Sequence, residues 1–276
     1  MKSKSLIFRL VFALLSLAMI FSPSSSKPIN NTVNGYDTQT ISRVMLSQTQ
    51  NAQRELKGRF PNYVRFLESC TGYNFQSEPT IRVKPEPGGG ARYFPDNGGS
   101  IIFDYDSVVI TQEVDTQNVD PRYLLQSETT LAEEKAKALH ELNHDREAEL
   151  RRNDGSLMSD VEISLEEGRT ILIENHCMMN GNAEERTYAE SLHLAYINAY
   201  KPAMDIVSKS DRRTVNGSWA YGRVLIVVVG VEHITSVKHV LGYHAVYQYV
   251  KNRVAQGVDW LVAVEESKYT GLDIFK

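Results

Sequence analysis

Apolar residues recur at intervals of three and four positions over much of the chain, which is the spacing of amphipathic helices. Two helices are predicted early, at residues 41–56 and 61–69, the second because proline is favourable at a first helical position. Three more are predicted at residues 160–179, 183–199 and 236–254. Residues 202–207 are expected to extend the helical region after a kink.

Strand-like runs are fewer and shorter. Residues 80–83 predict a strand, and residues 101–111 predict either one strand with a bulge or two short strands. Residues 85–99 are rich in Pro, Gly and Asn and predict a loop between them. Residues 224–230 predict a buried strand, and residues 258–264 predict a last strand or helix. A mostly helical chain with a small sheet ahead of its central helix indicates an α+β fold.

The central helix is predicted over residues 127–150, where Ala, Leu, Glu and Lys dominate and no Gly or Pro intervenes. Thr130 and Glu133 have the spacing of a capping box, and Asn153-Asp154-Gly155 is a stop signal. This helix contains the run His140-Glu141-Leu142-Asn143-His144. Histidines four residues apart share one helical face, so both imidazoles can bind one metal ion. The alternative is two ordinary helix residues that meet by chance.

Glu141 projects to one side of that pair, where it can reach a water bound to the ion. This is the H-E-x-x-H arrangement, in which two imidazoles bind zinc and the glutamate acts as general base. On His140, Glu141 and His144 the chain resembles the zincin metallopeptidases. The resemblance implies Zn²⁺ as cofactor, peptide-bond hydrolysis, and a zincin-like fold with strands just before the motif helix. In that family an edge strand beside the cleft pairs with an extended substrate.

A catalytic zinc usually has three protein ligands and one open position, so the chain must supply a third ligand. Glu147 and Leu150 occupy the positions where a metzincin would need Gly and His, which excludes that class. A carboxylate on a later helix, the gluzincin arrangement, remains. Seven acids qualify: Glu162, Glu166, Glu167, Glu174, Glu184, Glu185 and Glu190.

Glu184 is the preferred third ligand, because it opens a helix after the break Asn180-Gly181-Asn182. The stretch Glu184-Glu185-Arg186-Thr187 also resembles a Glu-x-Arg-Thr segment of some secreted effector metallopeptidases of bacterial pathogens. Glu185 is the alternative ligand. Both could instead be exposed acids favoured at a helix start by the helix dipole.

Other residues are candidates for supporting roles. Tyr188 lies one helical turn after Glu184 and is either an oxyanion donor or a packed aromatic residue. Asp145 and Glu147 either orient an imidazole or belong to a solvated face. His176 is either a nitrogen ligand or a packed residue. The remaining histidines have no partner spacing and are expected to be structural or exposed: His193, His233, His239 and His244.

The composition indicates an ordinary globular protein, and the N-terminal segment indicates export. The chain has 276 residues, a net charge of −4 and 42% hydrophobic residues, which are ordinary globular values without the basic excess of a nucleic-acid-binding protein. Lys2, Lys4 and Arg9 precede an apolar run at residues 10–21, and small residues follow. This predicts a signal peptide at residues 1–26 and a metallopeptidase domain at residues 27–276. A retained N-terminal anchor is the alternative.

Export would permit a disulfide between Cys70 and Cys177, and two buried thiols are the alternative. The resulting hypothesis is a secreted or periplasmic zinc endopeptidase that acts on proteins or peptides. No stable membrane association is expected after signal removal. The competing hypothesis is a non-catalytic secreted binding protein whose H-E-x-x-H run is fortuitous or holds a structural metal.

Overall fold

The computed structural model describes residues 32–33, 36–86, 88, 90–95, 99–112, 114, 116, 119–151, 158–209 and 218–275. The predicted signal peptide and the predicted helix stop at Asn153-Asp154-Gly155 lie outside these residues. The chain divides into two compact units, Met1–Arg43 and Val44–Lys276. In the first, strand β1 (Thr32–Val33) pairs antiparallel with β2 (Tyr36–Asp37), and helix α1 (Thr38–Thr71) begins directly afterwards.

The second unit is mostly helical and contains two small sheets, which confirms the α+β class. After α1, its elements follow the order β3 (Thr80–Lys84), β4 (Ala91–Phe94), β5 (Ser100–Asp104), α2 (Leu131–Arg151), α3 (Asp160–Met179), α4 (Ala183–Ser208), β6 (Arg223–Val228), β7 (Val231–Ser236), α5 (Val237–Ala255) and α6 (Trp260–Glu266). The described helices are all too short or too polar to cross a membrane.

The three-stranded sheet has β5 at its centre, parallel to β3 and antiparallel to β4. Ile101 and Phe103 of β5 are fully buried, so one face of the sheet packs on the core. The predicted strand at residues 80–83 is confirmed. The loop predicted at residues 85–99 is partly wrong, because Ala91–Phe94 pairs with β5 as an edge strand.

The segment after β5 is not a further strand. Tyr105–Ser107 forms a short 3-10 helix, and the backbone beyond it is held by side chains. The Val109 N–H donates to Glu134, and the Thr111 N–H donates to Glu55. These acceptors replace the neighbouring strand that a β segment would need.

Helix α1 is continuous through Pro61, so the prediction of two separate helices is wrong. Its buried residues lie on one face and include Leu56, Phe60, Val64 and Leu67. Burial of large apolar side chains contributes about 1.5–3 kcal/mol each, which together exceeds the roughly 3 kcal/mol that an interior proline costs.

The motif helix α2 is anchored by a buried carboxylate. Glu134 is fully buried and accepts hydrogen bonds from Arg59 at 2.7 Å and from the Tyr63 hydroxyl at 2.7 Å. At the start of α2, Thr130 Oγ1 accepts from the Glu133 N–H at 3.2 Å, as the capping pattern predicted. The helix is therefore fixed by polar contacts about two and three turns before His140.

Helix α3 has the predicted bounds and begins with a complete capping box between Ser159 and Glu162. It packs closely on α5 through two glycines. A Cβ atom on Gly168 would lie 2.2 Å from the backbone carbon of Gly242, and one on Gly242 would lie 1.6 Å from the Ser164 carbonyl oxygen. Only glycine permits backbones to approach this closely.

Cys70 and Cys177 form a disulfide with a Cα–Cα distance of 5.7 Å, which decides between the two alternatives. It joins the C-terminal ends of α1 and α3. Elsewhere, α4 runs unbroken through Pro202, and the last predicted segment is helical, as α6. The strand predicted at residues 224–230 is β6, but its side chains alternate between buried and exposed because it forms only a two-stranded hairpin with β7.

Candidate metal centre

Helix α2 presents His140 and His144 on one face, as the four-residue spacing predicted. Their ring centroids are 4.9 Å apart, and their Nε2 atoms are 3.2 Å apart. The two side chains are 20% and 16% exposed, and His140 borders a cavity. The pair is positioned to share one ion.

Helix α3 brings a carboxylate to this pair. Glu167 Oε2 lies 3.4 Å from His140 Nε2 and 3.5 Å from His144 Nε2. Among the described residues, His140, His144 and Glu167 form a group that could hold a metal ion. The three potential ligand atoms form a nearly equilateral triangle.

The geometry and chemistry of this triangle fit a tetrahedral metal. Ligand atoms about 2.0–2.1 Å from a zinc ion in tetrahedral geometry are roughly 3.3 Å from one another. The observed separations of 3.2, 3.4 and 3.5 Å are close to that value. Glu167 Oε2 is buried and makes no close hydrogen bond with the described residues, and the imidazole nitrogens of His140 and His144 face it at 3.4 and 3.5 Å.

Two further acids on α3 orient the imidazoles. Glu174 Oε2 lies 3.2 Å from His140 Nδ1, and Glu166 Oε1 lies 3.3 Å from His144 Nδ1. A proton on each Nδ1 would be donated to these carboxylates, which leaves both Nε2 lone pairs directed at the shared point. Metal-binding histidines usually have such a partner, which fixes the tautomer and makes the ligand more basic.

The acids also control the charge of the site. Burial lowers the pKa of His140, but contact with Glu167 and Glu174 outweighs burial and raises that pKa well above its usual value. Burial likewise lowers the pKa of His144, and contact with Glu166 and Glu167 raises it to about 9. Burial raises the pKa of Glu167, but the surrounding histidines bring it well below its usual value. The site therefore favours positive charge, whether as protons or as a metal ion.

Glu141 is buried and lines a cavity of about 140 Å³ together with His140. Tyr188 and Tyr196 line the same cavity. Burial raises the pKa of Tyr188 well above its usual value, so its phenol stays protonated and can donate a hydrogen bond. The predicted general base and the predicted oxyanion donor thus border one space next to His140.

The structure does not bring Glu184 to the metal centre. Glu184 is exposed in the first turn of α4, and Glu185 forms an ion pair with Lys135 at 2.8 Å. The Glu185 N–H donates to the Asn182 side chain, which caps the helix. Glu167, another of the seven candidates, replaces Glu184 as the third member of the group and supplies its carboxylate.

One sequence signal could have pointed to Glu167. Residues 164–175 are all buried except Glu167, which is half-buried, yet this segment contains three acids. Burying a carboxylate is costly unless a cation or hydrogen-bond donors compensate it. Acids at positions 166, 167 and 174, which lie next to Leu165 and to the apolar run at residues 171–173, therefore indicate a buried site better than an acid at a helix start does.

Other sequence candidates have different surroundings. His176 stacks on Trp260 with centroids 3.9 Å apart and is a packed residue. Asp145 and Glu147 are buried, so the solvated face predicted for them is wrong. Glu147 pairs with Lys268 at 3.0 Å, and the orienting role falls to other acids. His239, expected to be structural or exposed, places its Nε2 3.6 Å from Glu167 Oε2.

Comparison of this chain with family models, curated proteins and solved structures finds no match. The function of the chain is therefore inferred from the geometry of the site itself.

Proposed function

We propose that this chain is a zinc-dependent peptidase whose ligands are His140, His144 and Glu167. The observation that supports it best is the triangle of ligand atoms at tetrahedral spacing, with Glu141 in the adjoining cavity. Two imidazoles and one carboxylate form a common ligand set of catalytic zinc in peptidases.

The number of ligands favours catalysis over a structural role for the metal. Structural zinc sites are closed by four protein ligands, whereas catalytic sites keep one position open. The described residues supply three ligands, and the ring of His140 borders a cavity. This arrangement supports the enzymatic hypothesis over a non-catalytic binding protein.

Two residues of the cavity, Glu141 and Tyr188, then have roles in hydrolysis. When bound, zinc supplies a Lewis acid and lowers the pKa of a water molecule toward neutrality. Glu141 accepts the proton of the attacking water and transfers it to the leaving amine. Tyr188 donates a hydrogen bond to the oxygen that becomes negative as the carbonyl is attacked. Its protonated phenol is suited to this role.

The substrate is proposed to be a protein or peptide bound in an extended conformation. Strand β4 is at the edge of its sheet and packs near the motif helix α2. An edge strand can pair with a substrate backbone without demanding a particular sequence. This position supports the expected pairing of substrate along the sheet edge.

Export to an oxidising compartment is part of the proposal. Disulfides persist in secreted and periplasmic proteins and are rare in the cytosol. The bond between Cys70 and Cys177 supports this location.

The proposal is tested on the oxidised protein, residues 27–276. Metal analysis after dialysis should find about one zinc per chain, and casein cleavage should be abolished by a chelator and restored by added zinc. His140→Ala should lose both metal and cleavage, whereas His176→Ala, on the stacked histidine, should retain them. A parent protein that binds zinc but cleaves no protein or peptide would indicate a structural metal.

A further inference from the structure

A third imidazole faces the proposed carboxylate ligand. His239 lies in the first turn of α5, and its Nε2 is 3.6 Å from Glu167 Oε2. That separation is slightly longer than a hydrogen bond. The same oxygen faces His140 and His144 at 3.4 and 3.5 Å. His239 is the member of this set that lies outside the group able to hold the ion.

The approach of His239 is set by the packing of two helices. Gly168 follows Glu167 directly, and Gly242 lies one turn after His239 on α5. These glycines bring the two backbones into contact, because a Cβ on either one would overlap the other helix. The position of His239 relative to Glu167 is therefore fixed by backbone contact and does not depend on a flexible loop.

The other nitrogen of His239 also has a partner. Its Nδ1 lies 3.4 Å from Thr235 Oγ1, which lies 3.3 Å from the Tyr196 hydroxyl. If Tyr196 donates to Thr235 and Thr235 donates to Nδ1, the proton of the imidazole remains on Nε2. The His239 nitrogen that faces Glu167 Oε2 at 3.6 Å then carries an N–H, whereas the Nε2 atoms of His140 and His144 are left as lone pairs.

We propose that His239 is a positioning residue for Glu167, with its Nε2–H holding the carboxylate so that Oε2 ligates the metal. The inference relies on the proposed metal centre in one respect, because it takes Glu167 as a ligand. His239 itself binds neither metal nor substrate. Its role resembles that of Glu174 and Glu166 toward the histidines, but it acts on the carboxylate ligand.

The physical reason is the freedom of a carboxylate. A glutamate side chain can rotate and can bind through either oxygen or through both. A donor at Oε2 restricts it to one arrangement before the ion arrives, which reduces the entropy lost on binding. Loss of such outer-shell partners typically lowers metal affinity about 10–100-fold.

The test compares three replacements of His239 in the full oxidised protein. His239→Gln places an amide N–H near the former Nε2 position, His239→Asn places one near Nδ1, and His239→Ala removes the donor. His244→Ala is the matched control, because His244 lies on the same helix and stacks on Tyr200 with centroids 3.7 Å apart. Zinc affinity is measured by competition with a chromophoric chelator, and melting is measured without metal.

We expect zinc affinity to fall about 10–100-fold in His239→Ala and His239→Asn, and to recover substantially in His239→Gln. The visible spectrum of the Co²⁺-substituted protein should change in the first two variants and resemble the parent's in the third. Since a merely structural loss would not be rescued by Gln and would lower metal-free melting, this pattern identifies positioning.

Three results would overturn the proposal, and they are distinguishable. If the parent binds zinc and all three variants bind it equally well, His239 does not position the ligand, and the metal centre stands. If the parent itself binds no zinc, both the metal centre and the positioning role are wrong. Equal weakening in the Gln and Ala variants would also exclude a donor at Nε2.

Discussion

Glu174 Oε2 lies 3.2 Å from Nδ1 of His140, on the opposite side of the ring from the proposed metal position. Glu174 is almost completely buried, and burial raises its pKa even though His140 opposes the change. A carboxylate in such surroundings requires a partner. The pairing therefore serves both residues: it compensates a buried charge and directs the Nε2 lone pair of the histidine.

Glu174→Ala should weaken zinc binding without abolishing it. All three ligands remain, but the ring of His140 loses the acceptor that fixes its tautomer, so affinity should fall about 10–100-fold. Chelator competition measures the effect. Glu190→Ala, on the exposed side of α4, is the control and should leave affinity unchanged. Unchanged affinity in Glu174→Ala would show that the contact has no orienting role.

The two candidate third ligands, Glu167 and Glu184, should differ clearly in how their substitution affects zinc affinity. Glu167→Gln should lower zinc affinity sharply, because one of three ligand atoms is replaced by a weakly binding amide. Glu184→Gln should have no effect, since Glu184 is exposed at the start of α4. Both variants are measured in the same competition assay. The opposite pattern would return the assignment to Glu184.

The sequence predicted that His140 and His144 lie together, but it did not predict which acid joins them. Spacing within one helix places His140 and His144 together, because helical geometry is local. Which acid joins them depends on how α3 packs on α2 and α5, and the close contact of Gly168 with Gly242 is part of that packing. A glycine in a helix looks like a weak point in the sequence. Its role appears only when the second helix is known.

Prediction of the fold likewise succeeded where local sequence determines an element and failed where distant contacts do. The helical segments were predicted by periodicity, yet Pro61 suggested a break that burial of neighbouring residues overrides. Strand β4 was missed because its run Ala91–Phe94 is short and flanked by glycines. It becomes a strand only through pairing with β5.

The glycine contact can be tested with a matched pair of substitutions. Gly242→Ala should be strongly destabilising, because its Cβ would lie 1.6 Å from the Ser164 carbonyl oxygen. Gly58→Ala is also within a helix, but its Cβ would meet nothing within 4 Å, so it should stabilise by about 0.5–1 kcal/mol. Thermal melting measures both. Similar melting of the two variants would show that α3 and α5 are not in contact there.

The stabilisation by zinc should increase with pH. The pKa of His144 is raised to about 9 without metal, so its proton stabilises the metal-free fold below the unfolded pKa of about 6.5. That stabilisation is lost as pH rises through about 9. Zinc binding requires neutral imidazoles, so its affinity increases over the same interval.

The difference in melting temperature between zinc-loaded and metal-free protein should therefore widen from pH 6.5 to pH 9. Calorimetry at several pH values measures it. His144→Ala should abolish most of the difference at every pH, because a ligand is lost. A constant difference across this interval would show that the histidines are not protonated in the metal-free protein.

The last prediction separates chemistry from metal binding. Glu141 lines the cavity beside His140 but does not belong to the group able to hold the ion. Glu141→Gln is nearly isosteric and can still hydrogen-bond a water molecule, but it cannot accept a proton. A positioned general base typically contributes about 10²–10⁴ in rate, so cleavage of casein or a peptide should fall by at least that order.

Zinc content and melting temperature of Glu141→Gln should remain close to those of the parent, since no ligand changes. Tyr188→Phe is a useful comparison, because it removes the proposed oxyanion donor and leaves both metal and base intact. A Glu141→Gln variant that cleaves at the parent's rate would exclude Glu141 as the base. One that loses zinc would show instead that Glu141 holds the site together, and the proton would then require another acceptor in the cavity.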